Sequence, residues 1–147
     1  MTAIKAPEAP TIPADHLDLL TRPLCGVFTT MGTDGQPQSS LVWVDYDGTC
    51  ARVNTTLERR KGRDLLANPQ VSLLIVDPDD TSRFVQVRGD AELVTEGAEA
   101  HLDDLTRRYT HHPSYYGFIY PNEQRERETR VICRIHARRV TLDAIHR

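Results

Sequence analysis

The sequence predicts a small, mainly β barrel of the α+β class, with six mostly antiparallel strands and short helices at its ends and edges. Three observations carry that expectation. Apolar residues recur with period two in several segments, Gly- and Asp-rich turns separate the first of them, and only short stretches carry helical spacing. At 147 residues, 39% of them apolar and 27% charged, the chain suits one domain with a real core and is short for two.

Residues 1–12 read as a loose arm and residues 13–147 as the single domain. PADHLDLLT follows as a short helix, opened by Pro13, with Leu17, Leu19 and Leu20 available for burial. GVFTTM, Gly26 to Met31, and PQSSLVWVDY, Pro37 to Tyr46, form a hairpin around Gly32-Thr33-Asp34-Gly35. Asp47-Gly48 then turns the chain into TCARVNT, Thr49 to Thr55, completing a three-strand meander. A short basic helix ends at Asn68-Pro69. VSLLIV, Val71 to Val76, is a buried central strand. In Arg83 to Val94, Val85, Val87, Gly89, Ala91 and Leu93 alternate with Gln86, Arg88, Asp90 and Glu92, and Gly89 marks a bend or bulge. Glu96 to Tyr109 is helical, with Leu102, Leu105 and Tyr109 in step. A polar, aromatic loop leads to a last strand from Arg130 to Ile145.

The charge balance, 18 Lys and Arg against 21 Asp and Glu, gives a net charge of -3 and no reason to expect a nucleic-acid or membrane partner. No apolar run approaches the roughly 20 residues of a membrane span, and the start lacks a hydrophobic signal core, so a cytoplasmic protein is expected. Cys25, Cys50 and Cys133 lack C-x-x-C spacing and read as packing residues or unremarkable surface thiols. The adjacent His111 and His112 have no carboxylate pattern beside them, so no metal site is expected. Tyr115, Tyr116 and Tyr120 in the same loop cover a core, form a subunit contact or wall a substrate pocket. No catalytic triad or nucleophile emerges.

One stretch is out of place. In NTTLERRKGRDLLANP the helix has Thr55 or Thr56 to cap it and Leu65 and Leu66 to pack inward. Yet Arg59, Arg60, Lys61 and Arg63 crowd its first turns, where unpaired N–H groups already concentrate positive charge. Each such cation costs a few tenths to about 1 kcal/mol. A bound phosphate would reverse that sign, gripped by arginine, lysine and helix N–H groups, with Asn54, Thr55 and Thr56 as further donors. The alternative is a solvated basic face paired with Glu58 and Asp64. Trp43 is either a barrel residue with a satisfied indole or part of a pocket wall, and Gln38, Ser39 and Ser40 either line a site or simply begin a strand.

The order GVFTTMGTDGQPQSSLVWVDYDG, RRKGRDLLANPQVSLLIVD and FVQVRGDAELV resembles the flavin and deazaflavin oxidoreductases of the pyridoxamine-phosphate-oxidase-like superfamily, from Leu24 to about Ile145. Its most specific element, R-K-x-R-x-L-x-x-N-P-x-x-S-L, is matched by Arg60, Lys61, Arg63, Leu65, Asn68, Pro69, Ser72 and Leu73. The resemblance implies a split β-barrel and a homodimer with cofactor sites at the subunit interface. It implies that Lys61 with Arg59 or Arg60 grips the cofactor phosphate, that Asn54 to Thr56 lie beside it, that Gln38, Ser39 and Ser40 meet the ring's pyrimidine edge, and that Trp43 is near the ring. An adjacent Arg-Lys pair, here Arg60-Lys61, is the flavin pattern; a pair spaced by one residue, here Arg59 and Lys61, is common in deazaflavin binders. Both are satisfied.

The C-terminal ARRVTLDAIHR departs from the tryptophan, paired basic residues and R-L-x-P ending of the vitamin B6 oxidases. The compact length and the S-x-V-W-V-D-Y-D-G and V-R-G-D-A-E segments are most similar to the small enzymes using coenzyme F420. The implied function is an F420-dependent reductase that passes hydride to a small unsaturated or quinone-like molecule. The alternatives are an FMN-dependent oxidoreductase and a non-catalytic flavin- or haem-binding protein.

Overall fold

The structure, a computed structural model, describes residues 9–145; residues 1–8 of the expected arm lie outside the described residues. The strands are β1 (Gly26–Met31), β2 (Pro37–Val42), β3 (Asp45–Tyr46), β4 (Ala51–Thr56), β5 (Gln70–Asp77), β6 (Asp80–Val94) and β7 (Arg130–Leu142). The helices are α1 (Asp18–Thr21), α2 (Arg60–Ala67) and α3 (Ala98–Thr110), with 3-10 turns at Ala14–His16 and Asn122–Arg127. No helix among the described residues is long and apolar enough to cross a membrane.

The strands form one antiparallel sheet in the order β2-β1-β5-β6-β7-β4-β3. Its two end strands, β2 and β3, are separated in the chain by Trp43 and Val44 alone, so the sheet has to curl to bring them within reach of a two-residue connection. The curl is helped in β6, whose pairing with β7 shifts between Arg88 and Gly89. A Cβ on Gly89 would stand 2.0 Å from the carbonyl oxygen of His136, so only glycine lets the two backbones approach this closely. Inside the curl, Phe28, Val53, Leu73, Ile75, Val85, Val87 and Ile135 alternate with outward residues as the period-two pattern requires. Leu19 and Leu20 of α1 are fully buried against the same core; at about 1.5–3 kcal/mol each, they anchor a helix too short to stand alone.

The mainly β, antiparallel class holds, but there are seven strands rather than six. The segment Pro37 to Tyr46 breaks at Trp43–Val44, where the Tyr109 hydroxyl of α3 takes over the backbone: Val44 N–H donates to it at 3.0 Å, and it donates to the Leu24 carbonyl at 2.6 Å. The expected meander is interrupted there too, because β4 pairs with β7 and meets the preceding segment only through two-residue β3. β6 starts at Asp80, earlier than the alternation alone suggests, since Asp77 accepts the Asp79 N–H at 2.9 Å and tightens the turn. β7 ends at Leu142, where Asp143 takes a left-handed conformation (φ 57°). In α2 Leu65 is buried but Leu66 is 64% exposed, and the residue at the N-cap is Arg59, without a side-chain cap.

Candidate functional site

The site begins where β4 hands over to α2. Helix α2 sits directly on the strand end: a Cβ on Gly62 would lie 2.0 Å from the Thr56 carbonyl oxygen and 2.7 Å from the Leu57 Cα. This seating divides the basic cluster. Arg60 and Arg63, three residues apart on one helix face, line an outer hollow with Thr33 and Asp34. Lys61 shares the inward face with buried Leu65, four residues on, and Arg59 precedes the helix in extended conformation. Arg59 and Lys61 both line a different cavity, of about 260 Å³.

That cavity has an aromatic and aliphatic body and a cationic side. Trp43, Tyr115, Leu102, Leu105 and Ile119 line it, with Leu41 at the rim. Trp43 stacks on Tyr109 (centroids 5.5 Å, planes 15° apart) and meets Tyr115 edge-on at 6.4 Å. Lys61 Nζ donates to Ser40 Oγ at 3.0 Å. Burial pushes the Lys61 ammonium below the usual lysine range, and the nearby Arg59 and Arg130 guanidiniums push it further the same way. An ammonium held next to two other cations favours an anionic ligand.

Arg130, at the start of β7, is the third cation. Its guanidinium lies 4.8 Å from the Tyr115 ring centroid, its Nε donates to the Tyr116 hydroxyl at 2.9 Å, and its Nη2 donates to Glu128 at 3.2 Å. Glu128 also pairs with Arg59 at 2.9 Å. Asn54 is locked behind this group. Its amide N–H donates to the Ala98 carbonyl at 2.8 Å and to His101 Nδ1 at 3.0 Å, which turns its Oδ1 toward Arg130. His101 Nε2 in turn donates to Asp45 at 3.1 Å, and Arg52 grips Asp45 with two bonds of 2.8 Å. Burial works to raise the Asp45 pKa, but these donors outweigh it and hold the carboxyl down at about 2.

The structure therefore brings together Trp43, Asn54, Arg59, Lys61 and, through its bond to Lys61, Ser40. Arg60 faces the other hollow. Thr55 and Thr56 are buried and outside the cavity wall; the Thr56 Oγ1 meets no partner among the described residues. Gln38 and Ser39 lie further along β2, where Ser39 Oγ pairs with Thr29 Oγ1 at 2.8 Å. Glu58 and Asp64 are otherwise engaged: Glu58 accepts the Thr129 N–H at 2.9 Å, and Asp64 accepts the Thr30 hydroxyl at 3.2 Å.

The sequence alone does not single out Arg130 or Glu128, and it reads Cys25 only as a packing residue or surface thiol. The β4–β7 register, with Thr56 opposite Arg130, is what brings Arg130 to the site. A basic residue opening the last strand was the one available signal. Of the cysteines, Cys50 and Cys133 are buried, the latter with its thiol pushed up to about 12 by burial, while Cys25 is exposed on the cavity wall.

Residues 12–142 match the family described as pyridoxamine 5'-phosphate oxidase. A pyridoxine/pyridoxamine 5'-phosphate oxidase of Bordetella petrii is 39% identical over 67 residues, 45% of this chain; the match spans only 31% of that relative's length. Among solved structures, one described as an F420 reductase superposes with a TM-score of 0.73 at 31% identity, covering 88% of this chain and 98% of that one. The conserved hypothetical protein Rv2991 from Mycobacterium tuberculosis superposes at 0.68 with 27% identity, covering 96% and 89%.

Proposed function

The chain belongs to the pyridoxamine 5'-phosphate oxidase family, an oxidoreductase family of split β-barrels, and from that premise we propose that it is an F420-dependent reductase. The observation that carries this reading is the separation of Arg60 from the cavity, which leaves the spaced pair Arg59 and Lys61 facing it with Arg130. The spaced pair is common in deazaflavin binders, and the likeness to an F420 reductase at 31% identity points the same way. The cavity fits such a group: aromatic walls for a flat ring and three cations for a phosphate and acidic tail.

Lys61 and Arg59 hold the anionic group, Ser40 orients the Lys61 ammonium, and Arg130, backed by Asn54, offers further N–H donors. Trp43 and Tyr115 exclude water from the ring and limit its tilt. When bound, the deazaflavin supplies the hydride, and the acceptor is a small unsaturated or quinone-like molecule. A second copy of the chain completes the site: Leu41 and Ile119 at the rim are 72% and 40% exposed, an unusual fate for apolar residues beside a ligand cavity.

Trp43 is the single tryptophan and lies in the cavity wall, so its fluorescence reports occupancy directly. Titration is expected to show saturable quenching by F420 at least tenfold tighter than by FMN, and reduced F420 should be consumed when a quinone is added. Tighter binding of FMN, or purification with bound yellow flavin, would replace this reading with the FMN-dependent one.

A further inference from the structure

Glu128 is the buried end of the aromatic loop, its side chain 8% exposed, and one carboxylate serves both cavity arginines. Oε2 meets Arg59 Nη2 at 2.9 Å. Oε1 accepts from Arg130 Nη2 at 3.2 Å and from the Tyr116 hydroxyl at 2.8 Å, and that hydroxyl accepts from Arg130 Nε at 2.9 Å. Tyr120, in the same loop, lies under the Arg59 guanidinium at 5.2 Å. Among the described residues, no carboxylate other than Glu128 forms an ion pair with Arg59, Lys61 or Arg130.

Resting on the reading of this cavity as an anion site, we propose that Glu128 is a built-in counter-ion, which shares its electrostatic role with the anionic group of the ligand. Without a ligand it keeps two guanidiniums from repelling each other and fastens the loop carrying Tyr115, Tyr116 and Ile119 to the start of α2. A ligand anion at Arg59 and Lys61 takes over part of that neutralisation. Glu128 and the anion therefore oppose each other: the carboxylate that stabilises the empty site lowers the affinity of the filled one. Glu128 is a positioning residue that acts through Arg59 and Arg130, and the loop it holds is coupled to ligand charge. The Lys61 pKa is lowered first by burial and then by Arg59 and Arg130, so the two guanidiniums that Glu128 pairs with still act on the ammonium.

The test is sulfate binding, read by Trp43 fluorescence at constant ionic strength, in wild type, Glu128→Gln and Glu128→Asp. Sulfate isolates the charge effect from ring recognition. For charges a few ångströms apart near the surface, Glu128→Gln should bind sulfate about threefold to tenfold tighter. It should also melt at a lower temperature without ligand and gain more melting temperature from sulfate than wild type does. Glu128→Asp, which keeps the charge, should return toward wild-type affinity. Should Glu128→Gln be unfolded alone, saturating sulfate must restore a cooperative melt. Equal or weaker sulfate binding by folded Glu128→Gln, or no rescue of an unfolded one, overturns the proposal. Preference for F420 is measured separately, so loss of that preference with tighter sulfate binding would sink the cofactor assignment and leave this inference standing.

Discussion

Lys61 shows at the level of one side chain how the site depends on charge. Burial and the two neighbouring arginines lower its pKa, so the folded protein gives up this proton before the unfolded chain does. The charged ammonium therefore costs stability below the folded pKa, and the cost is relieved as pH rises toward the ordinary lysine range. Ligand affinity has the opposite slope. A bound anion favours the ammonium, so F420 affinity should fall as pH rises through the free protein's Lys61 pKa, and over that range binding should take up as much as one proton. Calorimetry in buffers of different ionisation enthalpy measures that proton, and Lys61→Arg should abolish it. Lys61→Ala should weaken binding by about 1.5–3 kcal/mol, the range of a charge-assisted contact. Lys61 could be singled out from sequence because cations at a helix start conflict with the dipole. Arg130 could not, because its place depends on which strand β7 joins.

At the scale of elements, the Tyr109 hydroxyl ties the corner between β2 and β3 to Leu24. Tyr109→Phe leaves the Val44 N–H and Leu24 carbonyl without this partner, and should cost about 1–3 kcal/mol in denaturant unfolding. Because Tyr109 also stacks on Trp43, the variant should shift Trp43 emission even in the folded state. The α1 end is held differently. His16 is buried and hydrogen-bonds Asp143 and Asp15, each at 2.9 Å, and these bonds raise its pKa above the usual histidine value. A raised pKa gives stability that is complete below the unfolded value of about 6.5 and lost as pH rises through the folded value. The melting-temperature gap between wild type and His16→Gln should thus be widest in mild acid and close at alkaline pH. The period-two pattern made most of these strands legible. The corner was not, because PQSSLVWVDY alternates smoothly through it and the interruption comes from a tyrosine 65 residues away. Gly89 was legible as a bend or bulge, and the shifted pairing with β7 makes it a bulge.

Over the whole molecule, the curled sheet carries the cavity, and Leu41, Phe118, Ile119 and Tyr120 are exposed large apolar residues, with Leu41 and Ile119 in the cavity lining. If a second copy covers these residues, sedimentation should give twice the chain mass, and Leu41→Glu should produce a folded monomer with weakened F420 binding. The class and the antiparallel architecture could be read from sequence because they depend on local periodicity. The division of the basic cluster could not, because it follows from Gly62 seating α2 on Thr56 and so fixing which arginine faces inward. That division also supplies the most direct test of the account. F420 affinities of Arg59→Ala and Arg60→Ala, measured side by side through Trp43 quenching, should differ sharply. Arg59→Ala should lose about tenfold or more, as expected for a charge-assisted contact, while Arg60→Ala stays within about twofold of wild type. Equal losses in the two variants, or a larger loss in Arg60→Ala, would contradict it.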